Sequence, residues 1–158
     1  MGTDWVDHVR ILTIIDEYSR EIVLCVARRS FKAAAVVSLL ARACELRGAK
    51  PSWLRSDNGT EFVADAAQDY LRDDGIEHER SRPGKPTDNA RVESFHSRFR
   101  DELLNRTLFE SVQHTQHLLD DFTHYYNDLR PHSSLKYLTP AEFSAIQPAV
   151  HSELAPVS

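Results

Sequence analysis

The sequence predicts one α/β domain, with a central mixed sheet flanked by helices, and three observations support this prediction. The chain has 158 residues, the usual size of a single domain. Hydrophobic residues make up 41% and charged residues 27%, as in ordinary globular proteins. Segments with strand and helix patterns alternate along the chain, which requires crossover connections and some parallel pairing.

The first part of the chain predicts a strand pair followed by a helix. Residues 10–16 and 21–27 are rich in β-branched side chains and are separated by a turn-like segment, which favours two antiparallel strands. Residues 32–47 place Ala, Leu and Val at helical spacing. Gly48 follows directly, in the position where helices commonly end.

The middle of the chain repeats the alternation of strand and helix. Residues 53–56 predict a short strand and residues 64–74 a helix that stops at Gly75. Residues 76–80 predict a further strand, and residues 82–88 have the composition of a loop.

The last part predicts helices. Asp88 or Asn89 can cap a helix that extends to Leu104, and residues 111–128 predict a second, long helix. Thr139, followed by Pro at the first helical position, predicts the start of a short helix. Residues 1–146 are expected to form the core, and residues 147–158 a flexible tail.

No segment predicts a membrane span or a secretory signal. The longest mainly apolar stretches, residues 11–15 and 33–43, are shorter than the roughly 18 to 20 residues that a span needs. The expected compartment is therefore the cytoplasm. Cys25 and Cys44 both lie in apolar segments and are expected to be buried thiols.

Charge is distributed unevenly along the chain. The net charge is −5, which alone argues against a nucleic-acid-binding protein. Residues 57–79 carry eight acidic groups and one basic group, whereas residues 80–106 carry seven basic and four acidic groups. Because a nucleic acid meets only the local field, the basic segment is compatible with phosphate contacts. The candidate residues are Arg80, Arg82, Lys85, Arg91, Arg98 and Arg100.

Two carboxylates follow predicted element boundaries. Asp57 lies just past a strand, Glu93 lies in the first turn of a helix, and 35 residues separate them. Ligands of open α/β sheets bind at the carboxyl ends of strands, where both side chains can meet. Hard oxygen donors of this kind suit Mg²⁺ or Mn²⁺. We therefore expect Asp57 and Glu93 to be catalytic residues and metal ligands.

Several motifs together resemble the integrase catalytic core of insertion-sequence transposases and retroviral integrases, over roughly residues 8–145. They are Ser56-Asp-Asn-Gly-Thr-Glu-Phe62, Pro-Gly-Lys-Pro86 ahead of Asn89, Arg91-Val-Glu-Ser-Phe95, Arg100-Asp-Glu-Leu-Leu-Asn105, Tyr126-Asn127 and Arg130-Pro-His-Ser-Ser-Leu135. The resemblance implies a ribonuclease H-like fold in which three carboxylates hold two divalent metals for cleavage and strand transfer of DNA.

The resemblance also implies a role for particular residues. Asp57 matches the second carboxylate of the family and Glu93 the third. Arg100 matches a basic position that faces DNA, and Asn89 matches a polar position near the metals. With Lys85 and Arg91, these residues form the expected DNA-binding set. The implied partner is the DNA of element ends and target. A homo-oligomer is a separate expectation, because the last long helix can keep a second apolar stripe that serves as a dimer surface.

The first carboxylate of the family has no clear counterpart. In relatives it lies in the middle of an opening strand. In this chain, the residues that precede Asp4 are too few to form such a strand. Asp7 and Asp16 also fall at other spacings. The hypothesis is that the catalytic set is shortened, and that none of the three replaces the missing carboxylate.

Two functions remain open at this point. One is a transposase or integrase core that cleaves and joins DNA; the other is a catalytically incomplete remnant that folds, dimerises or binds DNA without chemistry. A simple metal-dependent nuclease is a third possibility.

His114 and His117 are three residues apart, but no acidic or thiol partner at zinc spacing accompanies them. They are expected on a solvated helix face.

Overall fold

The computed structural model arranges five strands in one mixed sheet with helices on both faces. It describes residues 9–56, 59–80, 90–146 and 153–157; for residues 90, 91 and 153–157 the description covers the backbone. The strands are β1 (Arg10–Asp16), β2 (Ile22–Arg28), β3 (Trp53–Ser56), β4 (Glu77–Arg80) and β5 (Glu153–Val157). The helices are α1 (Ala33–Arg47), α2 (Thr60–Val63), α3 (Asp65–Asp73), α4 (Ala90–Glu102), α5 (Val112–His124) and α6 (Pro140–Ile146).

The strand order in the sheet is β2-β1-β5-β3-β4. β1 pairs antiparallel with β2 and with β5, whereas β3 pairs parallel with β4 and with β5. The predicted mixed sheet flanked by helices is therefore present. The described helices include none that is long and apolar enough to cross a membrane.

The central strand comes from a segment for which the sequence predicts a tail. β5 lies between β1 and β3, and the two strands bond to it rather than to each other. Pro156 stands opposite Ile14 in the register with β1. Proline has no N–H to donate to a ladder and is normally confined to edge strands, which is why the sequence pattern gives no sign of this strand.

The alternation of side chains along β1 creates a core on each face of the sheet. Leu12 and Ile14 pack into one cluster and Ile15 into the other. The first cluster contains α1, α2 and α3 residues (Val36, Leu39, Leu40, Ala43, Cys44, Phe62, Leu71). The second contains α4 and α5 residues (Val92, Phe95, Phe99, Leu119, Phe122) and Leu103, which directly follows α4. Both cysteines are buried and unbridged, as expected.

Side-chain amides from the α5 region cover the outer edge of β2. Asn127 accepts a hydrogen bond from the Ile22 N–H at 2.9 Å and donates one to the Ile22 carbonyl at 2.9 Å. Gln116 accepts from the Ala27 N–H and donates to the Cys25 carbonyl, both at 2.9 Å. These amides satisfy backbone groups that an edge strand otherwise leaves open.

Candidate active site

The carboxyl end of β3 is held by a chain of polar side chains. Gln68 Nε2 donates to the Phe62 carbonyl at 2.6 Å and to His78 Nδ1 at 2.8 Å. Since His78 Nδ1 accepts, its Nε2 carries the proton and donates to Ser56 Oγ, 2.7 Å away. This network, which the sequence analysis missed, fixes the residue directly before Asp57. Asp57 itself lies outside the described residues.

The same environment sets the protonation of His78. Burial lowers the pKa of this imidazole from its ordinary value, and the positive charge of Arg80 lowers it further. A neutral ring has one donor and one acceptor nitrogen, which is what the contacts with Ser56 and Gln68 use. Protonation of Nδ1 would place an N–H donor opposite the NH2 group of Gln68, which is itself a donor. The network is therefore complete at neutral pH.

Glu93 lies in the first turn of α4, and its side chain is exposed. On either side of it, Val92 and Phe95 are buried in the cluster beneath α4, so the helix cannot rotate without disturbing that core. Within the described ranges, Glu93 has no hydrogen-bond or ion-pair partner. An exposed carboxylate on a fixed helix is a donor that suits a hard cation.

Asp16 has a structural role. Its carboxylate is fully buried, forms an ion pair with the Arg47 guanidinium and accepts a hydrogen bond from the Tyr18 N–H at 3.0 Å. Arg47 also contacts Glu21 at 2.6 Å. These contacts occupy both Asp16 oxygens, which supports the hypothesis that Asp16 is not a metal ligand. Asp4 and Asp7 lie outside the described residues.

The described residues do not include a complete metal centre. In the part of the chain that the structure describes, no group of three or more His, Cys, Asp or Glu side chains is arranged to hold a metal ion. His114 is half-exposed and lies near Glu110. His117 is exposed on α5. The expectation that this pair does not bind zinc stays a prediction.

The structure describes two of the four predicted DNA-binding residues, Arg100 in full and Arg91 by its backbone. Arg100 is exposed on α4, two helical turns after Glu93, and lines a cavity of about 470 Å³ together with Arg10 and His96. The backbone of Arg91 lies in the first turn of α4. Lys85 and Asn89 lie outside the described residues.

A second cavity, of about 280 Å³, lies against another flank of α4. Its lining includes Arg20 from the turn between β1 and β2, Arg98 from α4 and His132 from the segment after α5. We call it the Arg98 cavity. Arg98 is among the phosphate contacts predicted from the sequence, but the cavity could not be predicted, because its residues come from three distant segments.

Comparison with known proteins identifies matching families and relatives. One model described as "Integrase core domain" matches residues 2–86, and a second with the same description matches residues 74–140. An uncharacterized 39.2 kDa protein of insertion element IS476 from Xanthomonas euvesicatoria is 40% identical over 137 residues, which is 87% of this chain and 39% of that protein. The transposase for insertion sequence element IS904 from Lactococcus lactis is 33% identical, over 82% of this chain and 52% of that protein. The chain thus spans about half or less of the length of these relatives.

Solved structures share the fold. The catalytic core domain of HTLV-2 integrase in complex with magnesium, in a trimeric form, superposes with a TM-score of 0.66 at 15% identity, over 90% of each chain. The catalytic core domain of BIV integrase superposes with a TM-score of 0.67 at 18% identity, over 92% of this chain and 91% of that one. The ribonuclease H-like fold predicted from the sequence is confirmed.

Proposed function

Because the chain belongs to the integrase core domain family, we propose that it acts in DNA integration or transposition by metal-dependent phosphodiester cleavage and strand transfer. The observation that carries the proposal is the position of Glu93. It is an exposed carboxylate on a helix anchored by Val92 and Phe95, and its spacing from Asp57 matches the family motif. Asp57 directly follows Ser56, which the Gln68 and His78 network holds at the end of β3.

Asp57 and Glu93 are the residues that would hold Mg²⁺ or Mn²⁺. Glu93 fits this role because its carboxylate is exposed and has no partner among the described residues. A bound divalent ion supplies positive charge that stabilises the attacked phosphodiester. The chain's own contribution is to hold Glu93 on the well-packed helix α4 and Ser56, which directly precedes Asp57, at the end of β3. That an integrase core of the same fold was solved in complex with magnesium supports the proposal.

DNA is the proposed substrate, with Lys85, Asn89, Arg91 and Arg100 as the residues that contact it. Arg100 supports this assignment, since it is exposed on the helix that carries Glu93 and shares its cavity with Arg10 and His96. Guanidinium groups beside a carboxylate site position phosphates without reading base sequence. A homo-oligomer is a further proposal, supported by the trimeric form of the related core.

The proposal is tested by measuring Mn²⁺ binding by calorimetry and joining of pre-cut DNA ends on the same samples. Asp57→Asn and Glu93→Gln are each expected to weaken metal binding and to abolish joining. Glu45→Gln is the matched control, because Glu45 is an exposed carboxylate on α1. Metal binding and joining that persist in both variants would contradict the assignment. A folded protein that binds DNA without joining ends would instead identify a remnant without chemistry.

A further inference from the structure

The Arg98 cavity begins directly beside Glu93 on α4. Val92 and Ser94, the two sequence neighbours of Glu93, both line it. Its volume is about 280 Å³, whereas a molecule of liquid water occupies about 30 Å³, so one water cannot fill the cavity. Ser94, Ser133 and Ser134 are exposed lining residues, and they mark the side on which the cavity opens to solvent.

The inner wall of the cavity is aromatic and firmly packed. Phe95 and Tyr126 line it and are both buried, with ring centroids 5.4 Å apart at 83°. The Tyr126 ring also contacts the ring of His132, with centroids 4.6 Å apart at 70°. These contacts hold the His132 ring in one orientation at the cavity. An aromatic wall of this kind suits the flat surface of another ring.

His132 presents a buried hydrogen-bond acceptor to the cavity. The residue is 2% exposed, lines the cavity, and its Nε2 has no hydrogen-bond partner within the described part of the chain. Burial lowers the pKa of His132 to about 4, assisted by the charge of Arg130 and opposed by a hydrogen bond to the Tyr126 backbone. The ring is therefore neutral near pH 7. A backbone group that favours protonation is an acceptor, so the ring donates to it through Nδ1 and Nε2 is left as an acceptor.

The chemistry of this acceptor selects its ligand. A buried acceptor without a partner calls for a group that donates a hydrogen bond. The phosphodiesters of DNA carry only acceptor oxygens and do not meet this requirement, whereas the edges of the bases carry N–H donors, such as the amino group of adenine. A base also brings a flat ring that stacks on aromatic side chains. Glu17, which Arg55 contacts at 3.2 Å, is a further acceptor among the lining residues.

We propose that the Arg98 cavity accepts one unpaired base of the DNA, whose amino group donates to His132 Nε2. The proposal rests on the proposed function for its choice of DNA. A base reaches a cavity of this kind only after it has left the stack, which costs least where the base is already unpaired. Since Val92 and Ser94 flank Glu93, a base held in the cavity positions its strand beside the candidate metal ligand.

DNA binding without metal tests the proposal. The full chain is titrated in EDTA with fluorescein-labelled duplexes of one sequence that contain a bulged adenine, a bulged purine lacking the amino group, or no bulge. The bulged adenine is expected to bind about two- to tenfold more tightly than the bulged purine, the range for one neutral hydrogen bond. Equal binding of the two bulged duplexes would mean that water satisfies Nε2 and would overturn the proposal. Equal binding of the bulged adenine and the unbulged duplex would overturn it as well.

Two variants assign the preference for the bulged adenine to the cavity. Ser134→Phe obstructs the cavity at an exposed position, and His132→Phe removes the acceptor while keeping a ring. Both are expected to lose the preference for adenine over purine. Ser38→Phe, at an exposed serine of α1 on the other face of the sheet, is the matched control and is expected to keep it.

A preference that persists in Ser134→Phe, or is lost equally in Ser38→Phe, would overturn the proposal. Circular dichroism establishes which variants are folded. Because Ser134 is exposed, Ser134→Phe decides the outcome even where His132→Phe fails to fold.

A second measurement separates a base of DNA from a free nucleoside. The ring nitrogens of His132 are followed by NMR while the bulged-adenine duplex, or adenosine, is added. The duplex is expected to shift the Nε2 resonance in the wild-type chain and not in Ser134→Phe. A shift with adenosine and none with the duplex would identify a small-molecule site and overturn the assignment to DNA. Because neither measurement needs metal or joining, failure here leaves the proposed chemistry intact, and loss of joining in Glu93→Gln leaves this inference intact.

Discussion

At the scale of single residues, Asp16 and Arg47 illustrate a carboxylate whose role is to stabilise the fold. Asp16 has no exposed surface, and Arg47 neutralises it. Arg47→Met is expected to lower the free energy of unfolding by about 3–5 kcal/mol, because the carboxylate then stays buried without a partner. Urea denaturation measures this change.

The control for that variant is Arg42→Met, on an exposed position of the same helix. It is expected to change stability by less than about 0.5 kcal/mol. Similar losses in the two variants would show that the pair with Asp16 contributes little. If Asp16 is not a ligand, as hypothesised, metal binding by Arg47→Met is expected to stay at the wild-type level.

Asn127 contributes through two hydrogen bonds to one residue of β2. Asn127→Leu keeps the number and branching of the side-chain heavy atoms but removes both side-chain hydrogen bonds to the Ile22 N–H and carbonyl. The expected loss of stability is about 2–3 kcal/mol. Hydrogen exchange of the Ile22 amide is expected to accelerate at the same time. Gln113→Leu, at an exposed position of α5, is the control, and equal exchange rates at Ile22 in both variants would contradict the interpretation.

His132 makes stability depend on pH. The pKa is about 4 in the folded chain, against an ordinary value of 6.5. The unfolded chain therefore binds a proton first, and stability falls as pH drops from 6.5 towards 4, by up to about 1.4 kcal/mol per pH unit. Thermal unfolding across this range is expected to show a shallower dependence in His132→Gln. An unchanged slope there, matching His117→Gln, would contradict the assignment.

At the scale of elements, local signals predicted most helix boundaries. Gly48 ends α1 with a left-handed φ of 68°, a backbone conformation that costs glycine little. Ser111 accepts a hydrogen bond from the His114 N–H at the start of α5. Thr139 and Glu142 bond reciprocally to each other's backbone N–H at the start of α6. Such caps can be predicted from the sequence because the donor and the acceptor are only three residues apart.

β5 is the element that the sequence could not predict. Its five residues include Pro156, and its place in the sheet depends on pairing with Ile14 and Leu54, which are remote in sequence. Local propensity has no access to contacts of this kind. The same limit applies to the Arg98 cavity. Glu93, in contrast, could be predicted as a candidate site residue because its motif is local.

Pro156→Val tests how β5 is held. Pro156 stands in register with Ile14 of β1 but has no backbone N–H to donate to the ladder. Restoring it is expected to raise the free energy of unfolding by about 1 kcal/mol, as measured by urea denaturation. Pro148→Val, outside the described strands, is the control. No gain from Pro156→Val would mean that the N–H restored at position 156 finds no acceptor in the sheet.

At the scale of the whole molecule, β5 joins two strand pairs that do not bond to each other. β2 and β1 form one pair, β3 and β4 the other. A chain that ends at residue 147 is expected to lose its single cooperative unfolding transition and to aggregate, because two edges become unpaired. Calorimetry and light scattering measure these changes.

A peptide of residues 148–158 added to the shortened chain is expected to restore cooperative unfolding. A scrambled peptide of the same composition is the control. Full cooperativity without any peptide would show that the sheet does not depend on β5.

The register of β5 also has a consequence for how fast the chain folds. Thr13 pairs with Val157, so this contact spans nearly the whole sequence, whereas β1 and β2 are separated by a short turn. Pairings between remote residues form slowly because a large loop has to close first. During refolding the strand pairs are therefore expected to form early, and the sheet to close in a late, rate-limiting step. Until then its two inner edges remain exposed to other chains.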